Sequence, residues 1–421
     1  MTETRMTSQA ELRKYLRTFR LNAAPTSQAS DESRAVVDHI DIAGRRIPRF
    51  TNEFWTAKQR QASSLHEVAY RACFKGQLPR FFIRLLSGAG DVIYDPFSGR
   101  GTTAIEAALL GRNVIANDIN PLSRMLAKPR LRIPRPDDLA ERLAQIPVEP
   151  SARADIDLAM FYYPKTEAEI VSLKNYLQTR RNDGNEDTLD AWIRMIATNR
   201  LTGHSPGFFS VYTLPPNQAV SPESQRKINQ KRAQSPDYRD VKQLILRKSK
   251  SLLRGISPQQ ARQLAAIAEN ARFFTDDARK TRGIPDASVQ LTVTSPPFLN
   301  VVQYAADNWL RCWFNGIDAE KVAEKITMAK TLDDWNAVMG AVFGELFRIT
   351  RAGGCVAFEV GEVRNGRIRL DEQVVPLGIA AGFQCAGIVI NQQNFTKTSN
   401  IWGVKNNAKG TNSNRIVLFQ K

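Results

Sequence analysis

The chain has 421 residues, 42% of them hydrophobic and 24% charged, enough for a large buried core in one domain with insertions or in two or three domains. With 59 Lys and Arg against 42 Asp and Glu, it carries a net charge of +17, which points to a polyanionic partner, nucleic acid ahead of an anionic membrane surface. Its four cysteines form no CxxC pair and its three histidines are scattered, so a disulfide framework and a zinc cluster are not expected; nor is a membrane span or a secretory signal, since no run of about 18 apolar residues exists and the first residues lack an apolar core.

In chain order, residues 1–52 read as an N-terminal extension, with one amphipathic helix over Ala10–Phe19 and then a polar stretch. From residue 53 the pattern becomes strand–helix–strand. Val92-Ile93-Tyr94 is a short apolar strand, Thr102–Leu110 a helix stopped by Gly111, and Val114–Asn117 a second strand ending at Asp118. That spacing is a βαβ unit, which implies a parallel sheet with a ligand at its carboxyl edge. Residues 131–270 break the series with helical pieces and a basic tract. Within 221–262 lie eleven Lys and Arg against three acids. Phe208–Tyr212 reads as core. Strands resume at Arg272–Thr275, Val289–Val293, Cys355–Val360, Cys385–Ile390 and Arg415–Phe419, with a helix over Asp334–Ile349 closed by "RAGG". The fold class expected is therefore α/β, interrupted by a largely helical insertion.

Two stretches carry chemistry. "DPFSGRGTT", residues 95–103, joins a strand to a helix; Gly99 and Gly101 let the backbone approach a ligand, and the helix start presents free N–H groups. It is neither a P-loop nor GxGxxG, and a plain tight turn is the alternative. Asp118, at the next strand end, is placed to accept from ribose hydroxyls, and the Thr275-Asp276-Asp277-Ala278 stretch at the third offers an acid to an adenine amino group.

The second stretch is Thr294-Ser295-Pro296-Pro297-Phe298, at the end of an apolar strand. An exocyclic amino group on a nucleobase is a poor nucleophile, because its lone pair is delocalised into the ring. Holding both N–H bonds against fixed acceptors draws that nitrogen toward sp³ geometry. Ser295 offers a hydroxyl and Pro296 a carbonyl, both stiffened by the prolines, and Phe298 offers a flat face for a flipped base. Taken alone, the four residues also read as a proline-rich turn.

Together and in this order, these motifs resemble the S-adenosylmethionine-dependent amino methyltransferases of DNA, most closely those acting on cytosine N4. The resemblance covers residues 53–130 and 271–421. It implies a Rossmann-like methyltransferase sheet, mostly parallel with an antiparallel final strand. It also implies a site in which Asp95, Phe97, Gly99, Gly101, Thr102, Asp118 and Asp277 bind S-adenosylmethionine, and Ser295, Pro296, Pro297 and Phe298 form the catalytic tetrapeptide. Ser at position 295, after Thr294, is the form typical of cytosine-N4 enzymes; adenine-N6 enzymes usually carry Asp or Asn there. Carbon-5 methylation needs a Cys nucleophile beside a proline, whereas Cys312 falls in a predicted helix, so direct transfer is expected. Double-stranded DNA is the implied partner and a cognate restriction endonuclease a further one, in a cytoplasmic, nucleoid-associated prokaryotic protein without a metal. Residues 53–130 and 271–421 would be the two parts of the catalytic domain, and 131–270 the DNA-binding, target-recognition region, with Arg226, Lys227, Lys231, Arg232, Arg247 and Lys248 on phosphates. Adenine-N6 methylation, an RNA amino methyltransferase and a catalytically inactive DNA-binding protein are the competing readings.

Overall fold

Apolar side chains along a strand pass alternately to opposite faces of its sheet. The computed structural model of the chain describes residues 5–21, 35–56, 62–71, 73–215, 219–297, 304–326, 329, 331–363, 368–392 and 413–421, and in it this alternation builds two cores, one on each side of a nine-stranded sheet. Ile93, Val114, Ala116, Leu291, Val293, Ala357, Ile416 and Leu418 face one core. Their neighbours Tyr94, Ile115, Val356, Phe358, Val417 and Phe419 face the other. Strands covered on both sides read as unbroken apolar runs, which is why these segments were legible.

The elements begin with α1 (Gln9–Thr18), β1 (Val36–Ile42), β2 (Arg45–Asn52), α2 (Gln77–Leu86), β3 (Val92–Asp95), α3 (Thr102–Leu109), β4 (Asn113–Asn117) and α4 (Leu122–Ala127). Six helices follow: α5 (Pro136–Gln145), α6 (Pro164–Asn182), α7 (Thr188–Arg200), α8 (Pro222–Arg232), α9 (Val241–Leu253) and α10 (Pro258–Asn270). The chain then returns through β5 (Arg272–Phe274), β6 (Val289–Thr294), α11 (Tyr304–Asn315), α12 (Ala319–Lys325), α13 (Leu332–Ile349) and β7 (Thr350–Val360). It closes with the small ribbon β8 (Glu362–Val363) and β9 (Ile368–Arg369), then α14 (Leu370–Ala380), β10 (Gln384–Gln392) and β11 (Ser413–Gln420).

The sheet order is β1-β2-β10-β11-β7-β6-β3-β4-β5. From β7 to β5 all neighbours are parallel, and β11 runs antiparallel to both β7 and β10. The chain leaves β3 toward β4 on one side, while β6 lies on the other, so the strand order reverses at β3. In such sheets the crevice at that reversal, beyond the carboxyl ends, is where ligands bind.

Three expectations change. The extension set apart as residues 1–52 places β1 and β2 at the edge of the main sheet: β2 pairs parallel with β10, and Phe50 and Ile47 are buried. Pro48 and three arginines, Arg45, Arg46 and Arg49, masked that strand in the sequence. "RAGG" does not close the helix but opens β7, where the register against β6 shifts between Val289 and Leu291. Third, the helical stretch is no appendage: Trp192, Ile193, Ile196, Leu244 and Ile245 belong to the same core as the sheet face above. Trp192 is fully buried, its indole N–H donating to Ser249 Oγ at 2.9 Å.

Candidate active site

The glycine loop after β3 is shaped by main-chain bonds. Gly101 N donates to Ser98 O at 2.6 Å, and Ile105 N to Gly101 O at 3.0 Å, starting α3. Gly101 has φ +79°, and a Cβ there would lie 2.4 Å from Ala127 Cβ, so only glycine lets α4 pass under the loop. Gly99, at φ +51°, faces the cleft, with Cys73 Sγ and Tyr70 as its nearest neighbours. The cleft encloses about 1350 Å³, its open mouth included. Phe97, Gly99, Thr102, Asp118, Asp277, Ser295, Pro296 and Pro297 all line it.

Asp118 follows β4. Its carboxylate accepts from Gly99 N at 2.8 Å and Asn120 N at 2.9 Å, so it ties the glycine loop to the β4 end. Burial pushes its pKa up to about 6, with those two N–H groups opposing the rise. Asp277 is engaged differently. Arg279 donates to it through Nε and Nη2, holding the carboxyl below its usual range. Asp276, its neighbour in the same strand-end stretch, lies on the same wall; its backbone is pinned by Asn117, which accepts from Asp276 N at 2.9 Å.

Asp95, expected at the cofactor, turns away from the cleft. It is fully buried and accepts from Thr294 Oγ1 at 2.6 Å and Phe97 N at 3.1 Å. Burial drives its pKa to about 7. Its role is to bolt the cofactor-loop strand to the residue that precedes the tetrapeptide. Thr103 adds a second bolt, donating to Val293 O at 3.0 Å. Gly101 likewise packs against α4 and does not line the cleft.

The tetrapeptide leaves β6 under restraint at three positions. Thr294 is held by Asp95. The Pro297 carbonyl accepts from the indole N–H of Trp335, on α13, at 3.0 Å. The Ser295 side chain stands beside the carboxylate of Glu359, which takes Asn414 Nδ2 at 2.5 Å. Glu359, on β7, is buried, which raises its pKa to about 6 against the pull of those two side chains. Sequence reasoning missed it, although a glutamate inside the apolar run Cys355–Val360 was a visible signal. Phe298 lies outside the described residues. Tyr70, Arg71, Cys73 and Phe74 complete the wall beside the glycine loop, and Val338, Met339 and Val342 line the opposite side with Trp335.

The basic residues expected on DNA do not form one surface. Lys227 and Lys231 are exposed on α8 and Arg247 on α9. Arg226 pairs with Asp157 at 2.6 Å, and Arg232 stacks on Tyr212 at 3.9 Å. Lys248 is only 11% exposed and lies 3.5 Å from Glu67, so it is not part of an open face. Phe209 and Val211 are core, as expected. Among the described residues no group of His, Cys, Asp and Glu is arranged to hold a metal, and no helix is long and apolar enough to cross a membrane.

Strand order, the reversed β11 and a glycine loop at the switch point define a Rossmann-like methyltransferase fold. Residues 18–128 match the family described as DNA methylase, whose model spans N6 and N4 enzymes alike. The type II methyltransferase M.MjaII of Methanocaldococcus jannaschii is 36% identical over 63 residues, 15% of this chain and 12% of that protein. M.MvaI of Kocuria varians is 35% identical over 80 residues, 18% of each chain. The orphan methyltransferase M.BamHII of Bacillus amyloliquefaciens is 38% identical over 74 residues, 17% of this chain and 28% of that one. The chain thus spans between 12% and 28% of the length of these relatives. The likeness to DNA amino methyltransferases read from the sequence is borne out over the matched segments, without dividing cytosine N4 from adenine N6.

Proposed function

We propose that the protein transfers a methyl group from S-adenosylmethionine to the exocyclic N4 of a cytosine flipped out of double-stranded DNA. The observation that carries this reading is that Ser295, beside buried Glu359, opens into the same cleft as Gly99, Asp118 and the Asp276-Asp277 wall. The cleft fits the cofactor in kind. Acids stand at two successive strand ends for ribose and adenine, Gly99 leaves room beside the loop, and Phe97, Ala278, Val338 and Met339 supply an apolar wall. When bound, S-adenosylmethionine supplies an electrophilic methyl on a sulfonium.

The chain's own residues do the rest. Ser295 Oγ and the Pro296 carbonyl accept the two amino N–H bonds and aim the nitrogen lone pair. As the N–C bond forms and the C–S bond breaks, the nitrogen loses one proton toward Ser295, whose own hydroxyl proton faces Glu359. With a pKa of about 6, Glu359 is mostly ionised at neutral pH and able to take up that charge. Turnover is therefore expected to rise with pH through about 6 and then level off, since protonation of Glu359 below that point removes the acceptor. Glu359→Gln should lose most turnover and flatten this rise; a variant with the wild-type pH profile removes Glu359 from the reaction.

Asp118→Ala is expected to weaken S-adenosylmethionine binding by about 10- to 100-fold, the worth of charge-assisted hydrogen bonds to a ribose. Calorimetry giving the wild-type affinity would take the ribose role away from Asp118. We further place the DNA-binding region on residues 131–270, where the exposed cations of α8 and α9 sit, and Phe298 at the flipped base. Nucleoside mass spectrometry of duplex DNA incubated with the protein and isotope-labelled cofactor tests the whole reading. Labelled N4-methylcytosine is expected; labelled N6-methyladenine would move the substrate to the second base, and no label in the DNA would overturn the reading.

A further inference from the structure

The helical run grips the wall of the cleft at one short segment, residues 64–71. Ser64 Oγ donates to the carbonyls of Leu252 and Arg254 at 2.7 Å each, at the end of α9. Glu67 accepts from Arg254 at 3.2 Å and from Ser251 at 3.1 Å, with Lys248 3.5 Å away. Ala69 O accepts from Asn199 Nδ2 at 3.1 Å and Arg311 Nη2 at 3.2 Å. Arg71, on the cleft rim, pairs with Asp307 of α11 at 2.7 Å. Arg200 stacks on Phe208 at 3.8 Å, with its charge felt by Lys248 and Glu67.

Four cations, Arg71, Arg200, Lys248 and Arg254, thus gather about two acids, Glu67 and Asp307. Underneath, Arg100 and Arg130 donate to the carbonyls of Val68 and Leu65, and among the described residues neither pairs with an acid. Burial and the neighbouring positive charge push Lys248 down to about 8 and Arg200 down to about 10. Arg71 and Tyr70 line the cleft, whereas Arg200, Lys248 and Arg254 do not. The surplus charge therefore lies beside the cofactor site and outside it.

We propose that this collar around Glu67 seats a backbone phosphate of the DNA strand whose nucleotide enters the cleft. The inference rests on the function proposed above. It puts the phosphate contact at the junction of α7, α9 and the cleft wall, in addition to the outer face of α8. Its chemistry is that of several cations sharing one phosphate, with Glu67 holding two of them in place until the phosphate arrives.

The test is a binding titration with duplex DNA between about 50 and 200 mM salt, a range over which phosphate contacts dominate the salt dependence. The triple variant Arg200→Gln, Lys248→Gln, Arg254→Gln should bind more weakly, with a slope of log K against log salt shallower by about 0.9 per lost contact. Should the triple variant fail to fold, Arg254→Gln alone, at a side chain 72% exposed, should lower the slope by about 0.9 while calorimetry gives the wild-type S-adenosylmethionine affinity. Glu67→Gln should act in the opposite direction, releasing Lys248 and Arg254 for tighter DNA binding; a packing role for Glu67 would not produce that gain. Unchanged slopes together with no tightening in Glu67→Gln would overturn the collar. That failure is distinct from failure of the function itself, which would appear as no methylated nucleoside from the wild type.

Discussion

Replacing Ser295 with alanine is expected to lower turnover by about 100-fold while S-adenosylmethionine binds as in the wild type. The size follows from deletion of one oriented group that acts mainly in the transition state. The separation of effects follows from the geometry. Ser295 lines the cleft beside Glu359 on β7, whereas Gly99 and Asp118, the residues proposed to hold the cofactor, bond to each other across β3 and β4. Removing the hydroxyl leaves Asp95–Thr294 and Trp335–Pro297 intact, so the tetrapeptide stays in place. The loss should therefore fall on kcat and leave cofactor affinity alone. Single-turnover rates with saturating cofactor, alongside calorimetry, separate the two. Near-normal turnover would end the role assigned to Ser295, and lost cofactor affinity would mean the two halves of the site are not independent.

Gly101→Val is expected to cost about 2–6 kcal/mol of stability, one part from a β-branched residue at φ +79° and one from overpacking. The new Cβ would meet Ala127 Cβ at 2.4 Å and Ala127 Cα at 3.3 Å, and α4 cannot retreat easily because Arg130 just beyond it is bonded to Leu65 O, Leu126 O and Arg100 O. Gly99→Ala offers the contrast. Its Cβ would meet Cys73 Sγ at 3.3 Å and the edge of the Tyr70 ring at 3.7 Å, on the cleft side. It should weaken cofactor binding with a smaller loss of stability. Urea unfolding of both variants checks this, and a Gly101→Val protein with the wild-type midpoint would show that α4 does not pack as described.

How far the sequence spoke depends on how local the information was. β3, α3 and β4 were legible because apolar runs, Gly111 and the spacing of a βαβ unit are short-range signals. Asp118, Gly99 and Ser295 stood out as candidates because each lies at or just past a strand end, a place that a turn residue or a proline marks. β2 was not found, since Arg45, Arg46, Pro48 and Arg49 read as loop until β10 and β1 supply partners on both sides. Trp335 and Glu359 were missed for a related reason. Nothing near either residue in the chain says that it will meet the Pro297 carbonyl or the Ser295 hydroxyl, which come from another strand.

By itself, then, the sequence determined the periodicities and turn chemistry, hence the α/β class, the glycine loop and the rigid tetrapeptide, because those follow from φ/ψ preferences and alternation within a few residues. Only the tertiary structure decided that Asp95 faces Thr294 and not the cleft, that Glu359 lies behind Ser295, and that Lys248 is tied to Glu67 and not spread on an open basic face. Each of those depends on which strands and helices become neighbours. That choice is made by burial of two cores on either side of one sheet, an energy summed over the whole chain and present in no single stretch of it.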